Sequence, residues 1–147
     1  MKVIAKNKRA LHDFDIAETI VAGLVLKGSE VKSIKHGHVS LKGSYVRFHD
    51  GEPVLTNMHV SAYRPAAHNQ HELTRDRKLL LHKQQIQRLR AARQNNRHIV
   101  PIKIGIQRGL VKLELGIGAS RKKYDKRELL KRRDAQRDIE RSLKRGR

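Results

Sequence analysis

The sequence predicts an α+β fold in which a small antiparallel barrel carries two or three helices and ends in a separate basic tail. Three observations predict it. Residues 99–117, IVPIKIGIQRGLVKLELGI, alternate apolar and polar side chains on both sides of a glycine-containing turn. Residues 44–60, SYVRFHDGEPVLTNMHV, repeat that alternation around Asp50-Gly51. Near residues 118–120 the apolar pattern stops and the charge rises. Period-two alternation marks a strand with one buried face, and a short glycine turn joins two such strands into a hairpin.

In chain order, FDIAETIVAGLVL (14–26) comes first. Phe14, Ile16, Ile20, Leu24 and Leu26 share parity, and the run from Ile20 to Val25 is β-rich, so a strand with a bulge or bend at Gly23 is expected. GSEVKSIKHG then reads as a short helix with Ser29 as N-cap, Val31 and Ile34 three apart, and Gly37 as its stop. In the 44–60 hairpin, Val46 and Phe48 face one way while Val54, Met58 and Val60 line the return. TRDRKLLLHKQQIQRLRAARQNN (74–96) is expected to be one long helix capped by Thr74, with Leu79, Ile86 and Leu89 on a stripe and Asn95-Asn96 at its end. On that helix His82 is expected to be a half-buried packing residue. In the last hairpin Ile102, Ile104 and Ile106 alternate before the turn, and Val111, Leu113, Leu115 and Ile117 after it. Pro101 suits the beginning or edge of the first strand, where a missing amide donor is harmless. Closing such strands into a barrel removes exposed edges, and an OB-like barrel suits a basic chain.

Length and composition narrow the function. A chain of 147 residues is one domain with an appendage. It has no cysteine, which excludes disulfides, cysteine-zinc sites and thiol nucleophiles. The opening MKVIAKNKRALHDFD lacks a signal-peptide apolar run, and no stretch approaches the roughly 20 apolar residues of a membrane span. Lys and Arg number 34 against 14 Asp and Glu, a formal +20. Charge of that size suits a polyanion partner whose counterions are released on binding. A membrane surface would favour aromatic anchors, and only Phe14, Tyr45, Phe48, Tyr63 and Tyr124 exist. Residues 1–119 carry +12, whereas 120–147 carry +8 in 28 residues. The expected organisation is therefore a barrel domain (1–119) and a tail (120–147).

No catalytic constellation emerges. His36-Gly37-His38 and the His68-Asn69-Gln70-His71-Glu72 segment are the tightest histidine clusters, but H-x-x-H-E is not the helical ligand pair H-E-x-x-H. The second cluster reads as a solvated loop, so no metal and no cofactor are expected. Asp13, Asp15 and Glu18 are the only close acids before residue 120, too few on one face to hold magnesium. The residues favour a nucleic-acid binder over a metal-dependent RNA-processing enzyme, with a ribosomal or ribosome-assembly protein as the competing binder. In the tail, Glu128–Arg132 and Glu140–Lys144 are helix-stabilising pairs, and Ala135, Ile139 and Leu143 make one thin apolar stripe. Such a stripe predicts a segment that is disordered alone and helical once RNA neutralises its arginines. A passive solubilising tail is the competing reading.

Four segments in order, NKRALHDFDIAET, AGLVLKGSEVKSIKHGHVSLKGSYVR, RKLLLHKQQI and KKYDKRELLKRRD, resemble the small protein B (SmpB) family, the SsrA-binding proteins. The resemblance spans almost the whole chain. It implies a bacterial, cytoplasmic, monomeric, non-enzymatic protein with an OB-like barrel. Such a protein binds the tRNA-like domain of tmRNA alongside elongation factor Tu and delivers it to ribosomes stalled on non-stop messages in trans-translation. Its implied tmRNA-binding residues are Asn7, Lys8, Arg9, His12, Phe14, Glu30, Lys32, Ser33, Lys35, Tyr45, Arg121, Lys122 and Lys123. The resemblance sends the tail into the decoding centre and vacant mRNA channel, with Tyr124, Asp125, Lys126, Arg127, Lys131, Arg132, Arg133, Arg137 and Leu143 as contacts. Glu30 would accept from a base amine or orient a lysine, with helix-dipole stabilisation as the alternative. Tyr45 would stack on a base or pack on the barrel. Phe14, Leu11, His38 and Ala135 depart from the family's usual residues.

Overall fold

The computed structural model describes residues 1–66 and 71–121. Their elements run β1 (Lys2–Lys6), α1 (Lys8–Asp13), β2 (Phe14–Leu24), α2 (Gly28–Lys35), β3 (Val39–Ser40), β4 (Tyr45–His49), β5 (Glu52–Thr56), β6 (His59–Val60), β7 (Arg77–Leu80), α3 (Lys83–Gln94), β8 (His98–Gln107) and β9 (Leu110–Ser120). A 3-10 turn, Arg64–Ala66, lies between β6 and β7. Seven strands make one antiparallel sheet in the order β1-β8-β9-β2-β7-β5-β4, and β3 pairs with β6. The sheet curls until β4 lies against β8, and no ladder joins those two among the described residues. The fold is α+β and barrel-like, as expected.

Ile20, Ala22, Leu55, Met58, Leu79, Leu89, Ile104, Leu113 and Leu115 fill the interior. Both hairpins turn on two consecutive positive-φ residues, Asp50 (49°) with Gly51 (81°) and Arg108 (52°) with Gly109 (77°). Mirror-image turns of that kind match the right-handed twist of the flanking strands, which is why the two hairpins were recognisable.

Several expectations are corrected. The segment 74–96 is not one helix: Arg77–Leu80 is strand β7, inserted between β2 and β5, and α3 begins only at Lys83. His82 is its exposed N-cap, donating its backbone N–H to Gln85 Oε1 at 3.0 Å, rather than a packing residue. The bulge in β2 falls between Ile16 and Glu18, not at Gly23, which stays in register with Leu80 and Lys112. Opposite that bulge, Gly118 leaves the space a Cβ would need to the Asp15 carbonyl. In β5 the inward residues are Pro53 and Leu55, while Val54 pairs with Arg47; the left-handed Asn57 (φ 68°) then resets the parity before Met58 and Val60. Ser29 lies inside α2, whose N-cap is Lys27. Pro101 sits within β8 at a register shift, beyond the last residue paired with β1. Strand β9 runs through Ser120, paired with Phe14, and the Arg121 amide donates to Asp13 O at 2.8 Å. The basic run that opens at Arg121 therefore follows directly on the last paired residue of β9.

Candidate nucleic-acid interface

Helix α1 was absent from the sequence reading, and it is what organises the first group of candidate residues. The register shift at Pro101 leaves backbone carbonyls for Asn7, whose N–H donates to Ile102 O at 2.6 Å and whose Nδ2 donates to Pro101 O at 3.0 Å. Asn7 Oδ1 in turn accepts the Ala10 amide at 3.2 Å and caps α1. Asn7 is buried, so it clamps the helix rather than offering itself to a ligand. Lys8, Arg9 and His12 project from the clamped helix into solvent. Arg9 and His12 lie near Asp13, at 3.8 and 3.3 Å.

Beside α1 opens a groove of about 610 Å³ lined by Arg9, Phe14, Tyr45, Arg93, Arg97 and His98, among others. The Phe14 ring lies tilted on His98, centroids 5.1 Å apart. Tyr45 is 51% exposed and stands out from the barrel. Cations flanking outward-facing rings are the components a nucleic-acid strand needs: phosphate neutralisation and stacking faces. Arg93, Arg97 and His98 were missed because no local pattern marks them; they reach the groove only when the end of α3 and the start of β8 are brought beside α1.

At α2 the candidates divide. Lys32 and Lys35 are exposed, whereas Glu30 and Ser33 are wholly buried. Glu30 Oε1 accepts from the Lys27 amide at 2.8 Å and from Arg75 Nε at 3.0 Å, and its Oε2 accepts from Arg77 Nε. Arg77 is itself wholly buried and donates onward to Met58 O (2.7 Å), Arg75 O (3.1 Å) and Leu73 O (3.3 Å). Burial opposes ionisation of Glu30, but the donors from Arg75, the Lys27 amide and Arg77 outweigh it and hold the carboxyl below its usual 4.5. The carboxylate is thus turned to the N-terminus of α2, through the Lys27 amide, and to the two arginines beneath it.

Ser33 Oγ donates to Ser61 O at 2.7 Å, and the Ser61 amide donates to His38 O at 3.0 Å. His71 is buried too, contrary to the solvated-loop expectation. Its Nε2 faces Val60 O at 2.9 Å, which can only accept, so Nε2 carries the proton and Nδ1 accepts from Ser29 Oγ at 2.8 Å. His68, Asn69 and Gln70 lie outside the described residues.

Arg121 is exposed at the end of β9, close to α1. Lys122, Lys123, Tyr124, Asp125, Lys126, Arg127, Lys131, Arg132, Arg133, Arg137 and Leu143 lie outside the described residues. Among the described residues no group of three His, Cys, Asp or Glu is placed to hold a metal, and no helix is long and apolar enough to cross a membrane.

A curled antiparallel barrel with cations and rings turned outward around one clamped helix defines the class: a basic nucleic-acid-binding barrel protein. Comparison with known proteins gives the family. The SmpB protein profile matches residues 4–145. SsrA-binding proteins of Halalkalibacterium halodurans and Geobacillus kaustophilus are 51% and 49% identical over 144 residues, covering 97% of this chain and 94% and 93% of theirs. That of Rubrobacter xylanophilus is 46% identical, covering 98% and 97%. A chain of the solved structure described as "tmRNA-SmpB: a journey to the center of the bacterial ribosome" superposes with a TM-score of 0.68 at 40% identity, over 81% of this chain and 85% of that one. This chain belongs to the SmpB family.

Proposed function

We propose that this protein is the RNA-binding adaptor of trans-translation. It binds the tRNA-like domain of tmRNA, carries it to ribosomes stalled on non-stop messages, and probes the vacant mRNA channel with residues beyond 121. The observation that carries the reading is the groove beside α1, lined by Arg9, Arg93, Arg97 and the exposed Tyr45 in a chain of family-typical sequence. Lys8, Arg9, His12, Phe14, Tyr45, Lys32, Lys35 and Arg121 are its RNA-facing residues. Asn7, Glu30 and Ser33 act from beneath, by positioning α1, α2 and the segment after β6. The protein works as a binder without catalysis or cofactor, as a monomer in the bacterial cytoplasm, alongside elongation factor Tu on aminoacylated tmRNA. Lys122 and Lys123 extend that RNA-facing set beyond Arg121, and Tyr124, Asp125, Lys126, Arg127, Lys131, Arg132, Arg133, Arg137 and Leu143 serve the ribosomal step.

The test separates the two parts. A chain ending at Arg121 keeps every β9 pairing and is expected to bind the tRNA-like RNA as the full chain does, at fixed ionic strength, while peptide tagging on stalled ribosomes is lost. Equal loss of both, or copurification with ribosomal subunits in place of one abundant alanine-accepting RNA, would refute the reading.

A further inference from the structure

The outer face of α2 holds a second set of rings and cations that the α1 groove does not include. Lys32 Nζ sits 5.4 Å from the centroid of Tyr63. The His36 ring lies 6.0 Å from Tyr63 and 6.3 Å from His38, the two histidines being near-parallel at 30°. The His36 ring is fixed in place: its Nδ1 donates to Lys32 O at 2.8 Å, an oxygen that only accepts. Tyr63 is fixed by its approach. Two residues before it, Ser61 is held on both sides, by Ser33 through its carbonyl and by His38 through its amide. The charge on this face is one-signed, because the single acid of α2, Glu30, points inward to Arg75 and Arg77, leaving Lys32 and Lys35 outside.

We propose that Tyr63, with His36 and Lys32, is a recognition site for one unpaired nucleotide of the bound RNA, separate from the α1 groove. The base stacks on the Tyr63–His36 rings, and its phosphate takes Lys32 from its place over the tyrosine. A ring with an adjacent lysine supplies a stacking face and a counterion, the pair of contacts that single-stranded nucleotides use. Ser33 thereby has a purpose despite its burial: it holds the segment that presents Tyr63. The inference rests on the RNA-binding function proposed above.

The experiment titrates the full-length chain and its variants with a transcript of the tRNA-like domain across a salt series. Tyr63→Ala is expected to weaken binding about tenfold without changing the salt dependence, since stacking releases no counterion. Lys32→Ala should instead lower the slope of log affinity against log salt by about one. Tyr63→Phe should bind as the native chain, whereas Tyr63→Leu, which keeps apolar bulk but no ring, should lose as much as the alanine variant. Recovery by Tyr63→Leu would show packing in place of stacking and overturn the proposal, as would native affinity in Tyr63→Ala. Failure of the native chain to bind the transcript would overturn the RNA-binding reading itself.

Discussion

Two charged constellations lie at different depths, and they behave as opposites. The Glu30–Arg75–Arg77 cluster is closed: its carboxylate and the arginine beneath it are out of water, and each hydrogen bond has a partner within the chain. The groove beside α1 is open: Arg9 meets Asp13 in an exposed contact at 3.8 Å, and Tyr45 stands half in solvent. Charge turned inward fixes geometry, and charge left outward waits for a polyanion. This chain thus uses arginine for two unrelated purposes, told apart by depth and partners.

That contrast can be broken in three places. The largest effect is expected from Glu30→Gln, which leaves the wholly buried Arg77 and the part-buried Arg75 facing a neutral amide; urea unfolding should show a loss of about 3–5 kcal/mol. The same carboxyl sets an acid limit. Its folded pKa is depressed, so its contribution is complete above the unfolded value near 4.5 and is lost as pH falls through the folded value. Native stability should therefore decline below about pH 4.5, and the variant should lack that part of the slope.

Asn7→Ala comes next, removing the cap of α1 and the tie to Pro101. A loss of about 1–2 kcal/mol in stability is expected, accompanied by weaker RNA binding because Lys8 and Arg9 lose their platform. An unchanged affinity would mean that α1 does not present them. The smallest change in stability belongs to Tyr45→Ala, within about 0.5 kcal/mol of native in a thermal melt. RNA affinity should nevertheless fall about tenfold, with Tyr45→Phe retaining it. If Tyr45→Ala instead melts early with affinity intact, the exposed ring is a packing residue and the contrast between inside and outside collapses there.

The hairpins could be read because alternation and turn chemistry are local. Strand β7 could not, although its burial also alternates: Arg77 and Leu79 face inward, Lys78 and Leu80 outward. An arginine at a core position imitates a surface residue, and its partner Glu30 stands 47 positions away. With Arg77 misread, the leucine run joined the helical stripe that follows. Asn7 and His71 were hidden the same way, since a polar residue looks exposed until carbonyls 94 and 11 residues distant take its donors. The candidate site was legible as a list of residue types, because resemblance and charge both point to the first motif and to α2. Which of those side chains reach solvent was not, because burial depends on strand order.

The bond between the Arg121 amide and Asp13 O has a mechanical consequence. Any load applied to the chain after residue 121 arrives first at this bond and at the Ser120–Phe14 pair, and both sit at the foot of α1. Because β9 and β2 are antiparallel, an outward pull peels them apart one pair at a time, starting under the helix that carries Lys8 and Arg9. Tension on the far end of the molecule is thus delivered to the groove before it reaches the core.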